Sequence, residues 1–157
     1  MKTRVYIETT VIGYLTSRPR QDVAVAGHQE TTREWWQTAP DRFELLISQL
    51  VVQECSAGDQ QAARERLEVL GELTLIPTTA EAEELADALI VGHAVPETYP
   101  EDALHIALAA VHGIEYLVTW NFRHIANVTV RSAIERICRA AGYEPPLICT
   151  PEELIEP

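Results

Sequence analysis

The chain has little lysine and little cysteine: one lysine, Lys2, among twelve basic residues, and three cysteines in 157 positions. Cys55, Cys138 and Cys149 lie far apart with no Cys-x-x-Cys pair, so they read as reduced, mostly buried thiols in a cytoplasmic protein. No apolar run approaches the roughly 20 residues needed to span a bilayer. Val5-Tyr6-Ile7 meets Glu8 too soon for a secretory signal. Neither Gly-x-Gly-x-x-Gly nor a P-loop is present, which argues against dinucleotide and Walker-type sites. The single lysine also argues against an acidic-pocket phosphotransfer domain, which uses a lysine after a later strand. No linker, repeat or low-complexity stretch divides the chain, so residues 1–157 read as one domain.

What is present is an ordinary globular composition, 46% apolar and 23% charged, long enough to bury a core without disulfides. A net charge of −12 argues against broad nonspecific binding to nucleic acid. The charge is uneven. Nine acids face Arg66 alone between Glu65 and Glu101, whereas Arg123 to Arg139 holds four arginines and one acid. A local phosphate-contacting face on an acidic body fits this pattern, as does a solvated surface of mixed sign.

The hydrophobic pattern alternates strands with helices. Val5-Tyr6-Ile7, Phe43 to Ser48, Leu73 to Ile76 and Tyr116 to Thr119 read as strands, with Leu147-Ile148-Cys149 as an edge strand. Helices are expected after the first strand with Thr9 or Thr10 as cap, from about Asp22 to Thr38, through Val51 to Cys55 with Ser48 as cap, and from Gln60 to Leu70. Further helices are expected behind Thr79, from Pro100 to His112, and from Arg131 to Ala141. This order implies right-handed crossovers, hence a three-layer α/β/α sandwich around a mainly parallel sheet of four to five strands. Functional groups then gather at the carboxyl ends of the strands. Glu8, Ser48, Thr119 and Asn121 fall there, with Glu54 and Asp102 near the starts of helices.

Glu8, Glu54 and Asp102 each interrupt an apolar segment. Brought together, three carboxylates repel unless a cation compensates, and hard oxygen ligands suit Mg²⁺ or Mn²⁺. Each also has a plainer reading: Asp102 as a first-turn acid, Glu54 as a solvated helix residue, and Glu8 as a partner of the helix that follows it. Five histidines form no His-Glu-x-x-His motif. His105 and His112 read as packing or surface residues. Cys55 reads as a buried thiol, and adjacent Trp35-Trp36 as either an aromatic anchor for a partner or the edge of the core.

In order along the chain, Val5-Tyr6-Ile7-Glu8-Thr9-Thr10, Leu50-Val51-Val52-Gln53-Glu54, Asp102-Ala103-Leu104-His105-Ile106-Ala107 and Leu117-Val118-Thr119-Trp120-Asn121 resemble the four motifs of PIN domains. The nearest branch resembles VapC-type toxins of toxin–antitoxin pairs. The resemblance implies a Mg²⁺- or Mn²⁺-dependent endoribonuclease, with Glu8, Glu54 and Asp102 as metal ligands and Asn121 in the fourth acidic position. Thr9, Ser48 and Thr119 would support the site, and Arg123 and His124 would contact the RNA substrate. It also implies a cognate antitoxin and a homodimer as assemblies. Glu8 and Asn121 stand where the family carries aspartates. A weakened PIN-like protein that binds RNA or another protein is therefore the alternative.

Overall fold

The structure, a computed structural model, describes residues 1–157. Five parallel strands form one sheet in the order β3-β2-β1-β4-β5. They are β1 (Thr3–Ile7), β2 (Phe43–Ser48), β3 (Thr74–Ile76), β4 (Tyr116–Val118) and β5 (Leu147–Cys149). Helices α1 (Thr9–Thr16), α2 (Val23–Arg42), α3 (Gln49–Cys55) and α4 (Gln60–Leu70) make the connections that step from β1 outward to β3. The path then reverses through α5 (Ala80–Val91) and α6 (Pro100–Val111) to β4, and through α7 (Val128–Ala140) to β5. Right-handed crossovers in opposite directions put helices on both faces. Accordingly, α1 packs on α2, α3 and α4, and α5 on α6 and α7. The expected three-layer sandwich is present.

The central strand β1 shows why the sheet is stable. Val5, Tyr6 and Ile7 are fully buried, as a strand covered on both faces requires. Register pairs Tyr6 with Leu46 on one side and Leu117 on the other, so β1, β2 and β4 end together. The strand order reverses between β1 and β4, the switch point where α/β sheets open a crevice.

Several local expectations are corrected. Helix α2 runs to Arg42, past Ala39 and Pro40. Asp22 caps its start by accepting from the Val25 amide, and Pro40 lies in its last turn. There the missing N–H removes one bond from a ladder that is already ending. Helix α7 begins at Val128 rather than Arg131, because Asn127 supplies the cap by accepting from the Thr129 amide. Trp35 is 1% exposed and packs with Trp36 and Phe43, while Trp36 is half-buried against the core. The pair completes the core edge and offers no projecting anchor. Between Glu65 and Glu101, Glu68, Glu72, Glu81, Glu83, Glu84 and Asp87 are all exposed, a solvated acidic face. All three cysteines are buried and free, and burial pushes their thiols up, to about 11 for Cys55 and Cys138 and about 12 for Cys149. No helix is long and apolar enough to cross a membrane.

Candidate active site

Glu8 leaves the end of β1 and occupies the residue position before α1, yet its side chain makes no cap bond. Its Oε1 accepts instead from Thr119 Oγ1 at 2.6 Å and Thr10 Oγ1 at 2.5 Å. Thr9 Oγ1 donates to Glu54 Oε1 at 2.5 Å. The expected threonine caps of α1 are therefore absent. Bonds from hydroxyls to an ionised carboxylate are about twice as strong as neutral ones, so Thr9 and Thr10 turn toward the glutamates. Thr10 Oγ1 also accepts from the Trp120 amide at 2.9 Å, tying α1 to the end of β4.

Glu54 comes from the last turn of α3 rather than from near its start, because the helix spans only Gln49–Cys55; Ser48 caps that start through the Val51 amide. Behind it runs a buried chain of polar groups. Glu54 Oε1 lies 2.7 Å from His105 Nε2, His105 Nδ1 lies 2.7 Å from Tyr6 Oη, and Tyr6 Oη lies 2.7 Å from Ser48 Oγ. His105 Nε2–H donates to Glu54 both in the imidazolium and in the tautomer whose Nδ1 accepts from Tyr6. Burial opposes charge on both partners. The hydrogen bond and the attraction between them outweigh that, holding Glu54 below the usual carboxylate range and raising His105 above the ordinary imidazole value. Glu8 and Asp102 add to the rise at His105. Tyr6, fully buried beside these acids, is pushed well above the usual phenol range by burial above all.

Asp102 lies in the first turn of α6, where the helix dipole favours an acid, and its Oδ2 is 2.8 Å from His124 Nδ1. Asn121 Oδ1 accepts from the His124 amide at 3.1 Å, fixing the turn that aims this imidazole. The Asn121 amide itself donates to Thr119 Oγ1 at 2.9 Å, linking that turn to Glu8. Arg123 is exposed and makes no ion pair.

Glu8, Glu54 and His105 offer ligand atoms within 4.8 Å of one another; Asp102 lies outside that tight group, engaged by His124. Each carboxylate has one oxygen held by protein donors, Glu8 Oε1, Glu54 Oε1 and Asp102 Oδ2. The other oxygen of each accepts no hydrogen bond from the protein. Fixed acids with free oxygens fit a hard divalent cation. Both ring nitrogens of His105 are engaged by Tyr6 and Glu54, so its place is behind the carboxylates.

Of the residues singled out from sequence, Thr9 and Thr119 touch carboxylates, while Ser48 reaches the site only through Tyr6 and His105. Sequence reasoning missed Thr10, Tyr6 and His105. The fully buried His105 is not a plain packing residue, whereas His112 does lie at the surface, 2.8 Å from the Pro77 carbonyl. One signal for His105 was its spacing: it follows Asp102 by three residues, which places both on one side of the helix.

An acidic cluster at the carboxyl edge of a doubly wound parallel sheet defines the class of protein. The family is then explicit: the PIN domain model matches residues 5–130, and the chain belongs to that family. No curated protein matches it in sequence. Among solved structures, it is similar to a chain of VapBC2 from Rickettsia felis, solved bound to a DNA fragment from their promoter. That match has a TM-score of 0.61 and 14% identity, covering 94% of this chain and 98% of the other. It is also similar to Mycobacterium tuberculosis VapC20, a sarcin–ricin loop cleaving toxin, with a TM-score of 0.60 and 18% identity over 90% of this chain and 99% of the other. At these identities the likeness is one of fold.

Proposed function

We propose that the protein is a Mg²⁺- or Mn²⁺-dependent endoribonuclease, the toxin of a VapC-like toxin–antitoxin pair. The observation that carries this reading is the set of three carboxylates, Glu8, Glu54 and Asp102, each with one oxygen fixed by a protein donor and one free. A divalent ion bound there would supply charge stabilisation for a phosphodiester and activation of an attacking water. The chain's own residues do the positioning. Thr10 and Thr119 fix Glu8, Thr9 and His105 fix Glu54, and His124 fixes Asp102. Arg123, exposed and without an acidic partner, holds a flanking phosphate through its bidentate fork. Asn121 keeps the turn but adds no charge, so the site suits one ion better than two. An antitoxin and a second copy of the chain are its expected partners, in keeping with the VapBC fold likeness.

The test is cleavage of a labelled structured RNA with Mn²⁺, Mg²⁺ or EDTA, comparing wild type with Asp102→Asn. Metal-dependent cutting that is lost in the variant supports the ribonuclease; equal cutting by both removes it. A PIN-like module that binds RNA or protein without cutting is the second reading. It is favoured by the neutral Asn121, whose amide oxygen is already engaged by the His124 amide.

A further inference from the structure

Glu8 follows three fully buried strand residues and is itself only 4% exposed. Its backbone is pinned on both sides. The Glu8 amide donates to the Val118 carbonyl at 3.1 Å, and the Glu8 carbonyl accepts from the Val11 amide at 3.1 Å. The side chain is held just as closely. Thr10 Oγ1, from α1, and Thr119 Oγ1, from the end of β4, donate to the same oxygen, Oε1, at 2.5 and 2.6 Å. A hydroxyl has one proton to give. The Trp120 amide donates to Thr10 Oγ1 at 2.9 Å, and the Asn121 amide donates to Thr119 Oγ1 at 2.9 Å. Two consecutive amides of the turn after β4 therefore commit two hydroxyl protons to one carboxylate oxygen. Thr9, the preceding residue on α1, serves Glu54 instead.

We infer that Thr10 and Thr119 form a clamp matched to the length of glutamate, so that position 8 is selective for that side chain and Thr10 is a positioning residue for its second oxygen, Oε2. That Oε2 then meets a divalent ion rests on the metal-dependent reading of the acidic cluster; the length match does not. Aspartate carries the same charge but is shorter by one carbon–carbon bond, about 1.5 Å. The pinned backbone cannot follow it. Its carboxylate falls back to roughly 4 Å from the two hydroxyls, where no hydrogen bond forms. A carboxylate released from its donors must be ordered again when an ion binds, and that ordering is subtracted from affinity. Charge alone is therefore not enough at this position.

The experiment is a double-mutant cycle over Glu8→Asp and Thr10→Val, read in two ways. The first is Mn²⁺ affinity, from the paramagnetic resonance of the free ion. Glu8→Asp and Thr10→Val should each weaken it about tenfold or more, although Glu8→Asp keeps the charge. Thr10→Ser keeps the hydroxyl and should retain the affinity. On the Glu8→Asp background Thr10→Val should cost nothing further, because no clamp is left to break. The second readout is the urea midpoint in EDTA. Thr10→Val also strips the Trp120 amide of its acceptor, but it does so on both backgrounds, so that loss cancels and non-additivity reports the contact with Glu8 alone. A Thr10 that serves only the fold gives equal losses on both. An additive urea cycle overturns the inference, and so does Glu8→Asp binding Mn²⁺ as tightly as a wild type that binds it; in both cases Mn²⁺ binding by wild type leaves the metal reading standing. A non-additive urea cycle in a protein that binds no Mn²⁺ keeps the length match and removes the metal reading. If Glu8→Asp does not fold, Thr10→Val and Thr10→Ser on the native Glu8 decide the matter, and equal Mn²⁺ affinities for the two overturn the clamp.

Discussion

The acidic cluster has two sides built in different ways. The Glu8–Glu54 side is a wall: Tyr6, Ser48, His105 and Thr119 behind it are all fully buried and joined by hydrogen bonds no longer than 2.7 Å. The Asp102 side is a rim. The Asp102 and His124 side chains are largely buried against each other, but the neighbouring Tyr99, Phe122 and Arg123 are exposed. Buried polar networks are rigid because every unmade bond is costly, whereas a single pair bordered by exposed side chains has fewer bonds to hold it. The wall fixes where charge sits. On the proposed reading, the rim is where a substrate would enter.

The largest expected effect comes from removing a charge on either side. Glu54→Gln and Asp102→Asn should each lower RNA cleavage by about a thousandfold, equivalent to about 4 kcal/mol in the transition state. Single-turnover cleavage rates measure this, and unequal losses would show which side carries more of the chemistry.

Next comes an effect that separates the sides. His105→Ala opens a cavity in the core and takes one of two partners each from Tyr6 Oη, which keeps Ser48, and Glu54, which keeps Thr9; it should cost about 2–4 kcal/mol of stability. In a chain of this length that lowers Tm by roughly 5–15 °C. His124→Ala, at the rim, should cost about 1–2 kcal/mol, since it removes one bond rather than two, while weakening metal binding roughly tenfold or more. Thermal melts paired with Mn²⁺ titrations distinguish the two, and equal Tm losses would erase the distinction between wall and rim.

A smaller effect is pH dependence in EDTA. Glu54 is held below its ordinary value of 4.5, so its contribution is complete above that pH and is lost as pH falls through the folded value. His105 is raised above 6.5, so its contribution is complete below that pH and is lost as pH rises through the folded value. Wild type should therefore be most stable in mildly acidic solution. His105→Gln should lack the alkaline decline in Tm. The smallest effect is expected for Asn121→Asp, since an aspartate accepts the His124 amide equally well; its stability should change by no more than about 0.5 kcal/mol.

Much of this was legible in the sequence, and what was not has physical causes. The alternation of β-branched runs with capped helices predicts the parallel sheet, and the carboxyl-edge rule then brings Glu8, Ser48, Thr119 and Asn121 to one end. Ser48 and Thr79 precede helices and do cap them. Thr9 and Thr10 look equivalent in sequence but answer to carboxylates that only the fold brings near. Pro40 reads as a helix stop, yet a final turn tolerates it. His105 is hidden by its setting in an Ala-rich helix, where a histidine looks like packing until Tyr6 and Glu54 arrive from other elements. Trp35-Trp36 suggests a contact surface because adjacent residues diverge around a helix. The neighbouring Phe43 and the rest of the core absorb Trp35, and Trp36 packs at its edge.

The most direct test of the central claim is Mn²⁺ binding to wild type, Glu54→Gln and Asp102→Asn, followed by calorimetry or by the spectrum of the free ion. If wall and rim together hold the ion, wild type binds one Mn²⁺ per chain and both variants lose most of that affinity. Asp102→Asn binding Mn²⁺ as tightly as wild type would contradict the account, leaving Glu8 and Glu54 alone as the metal site and Asp102 outside it.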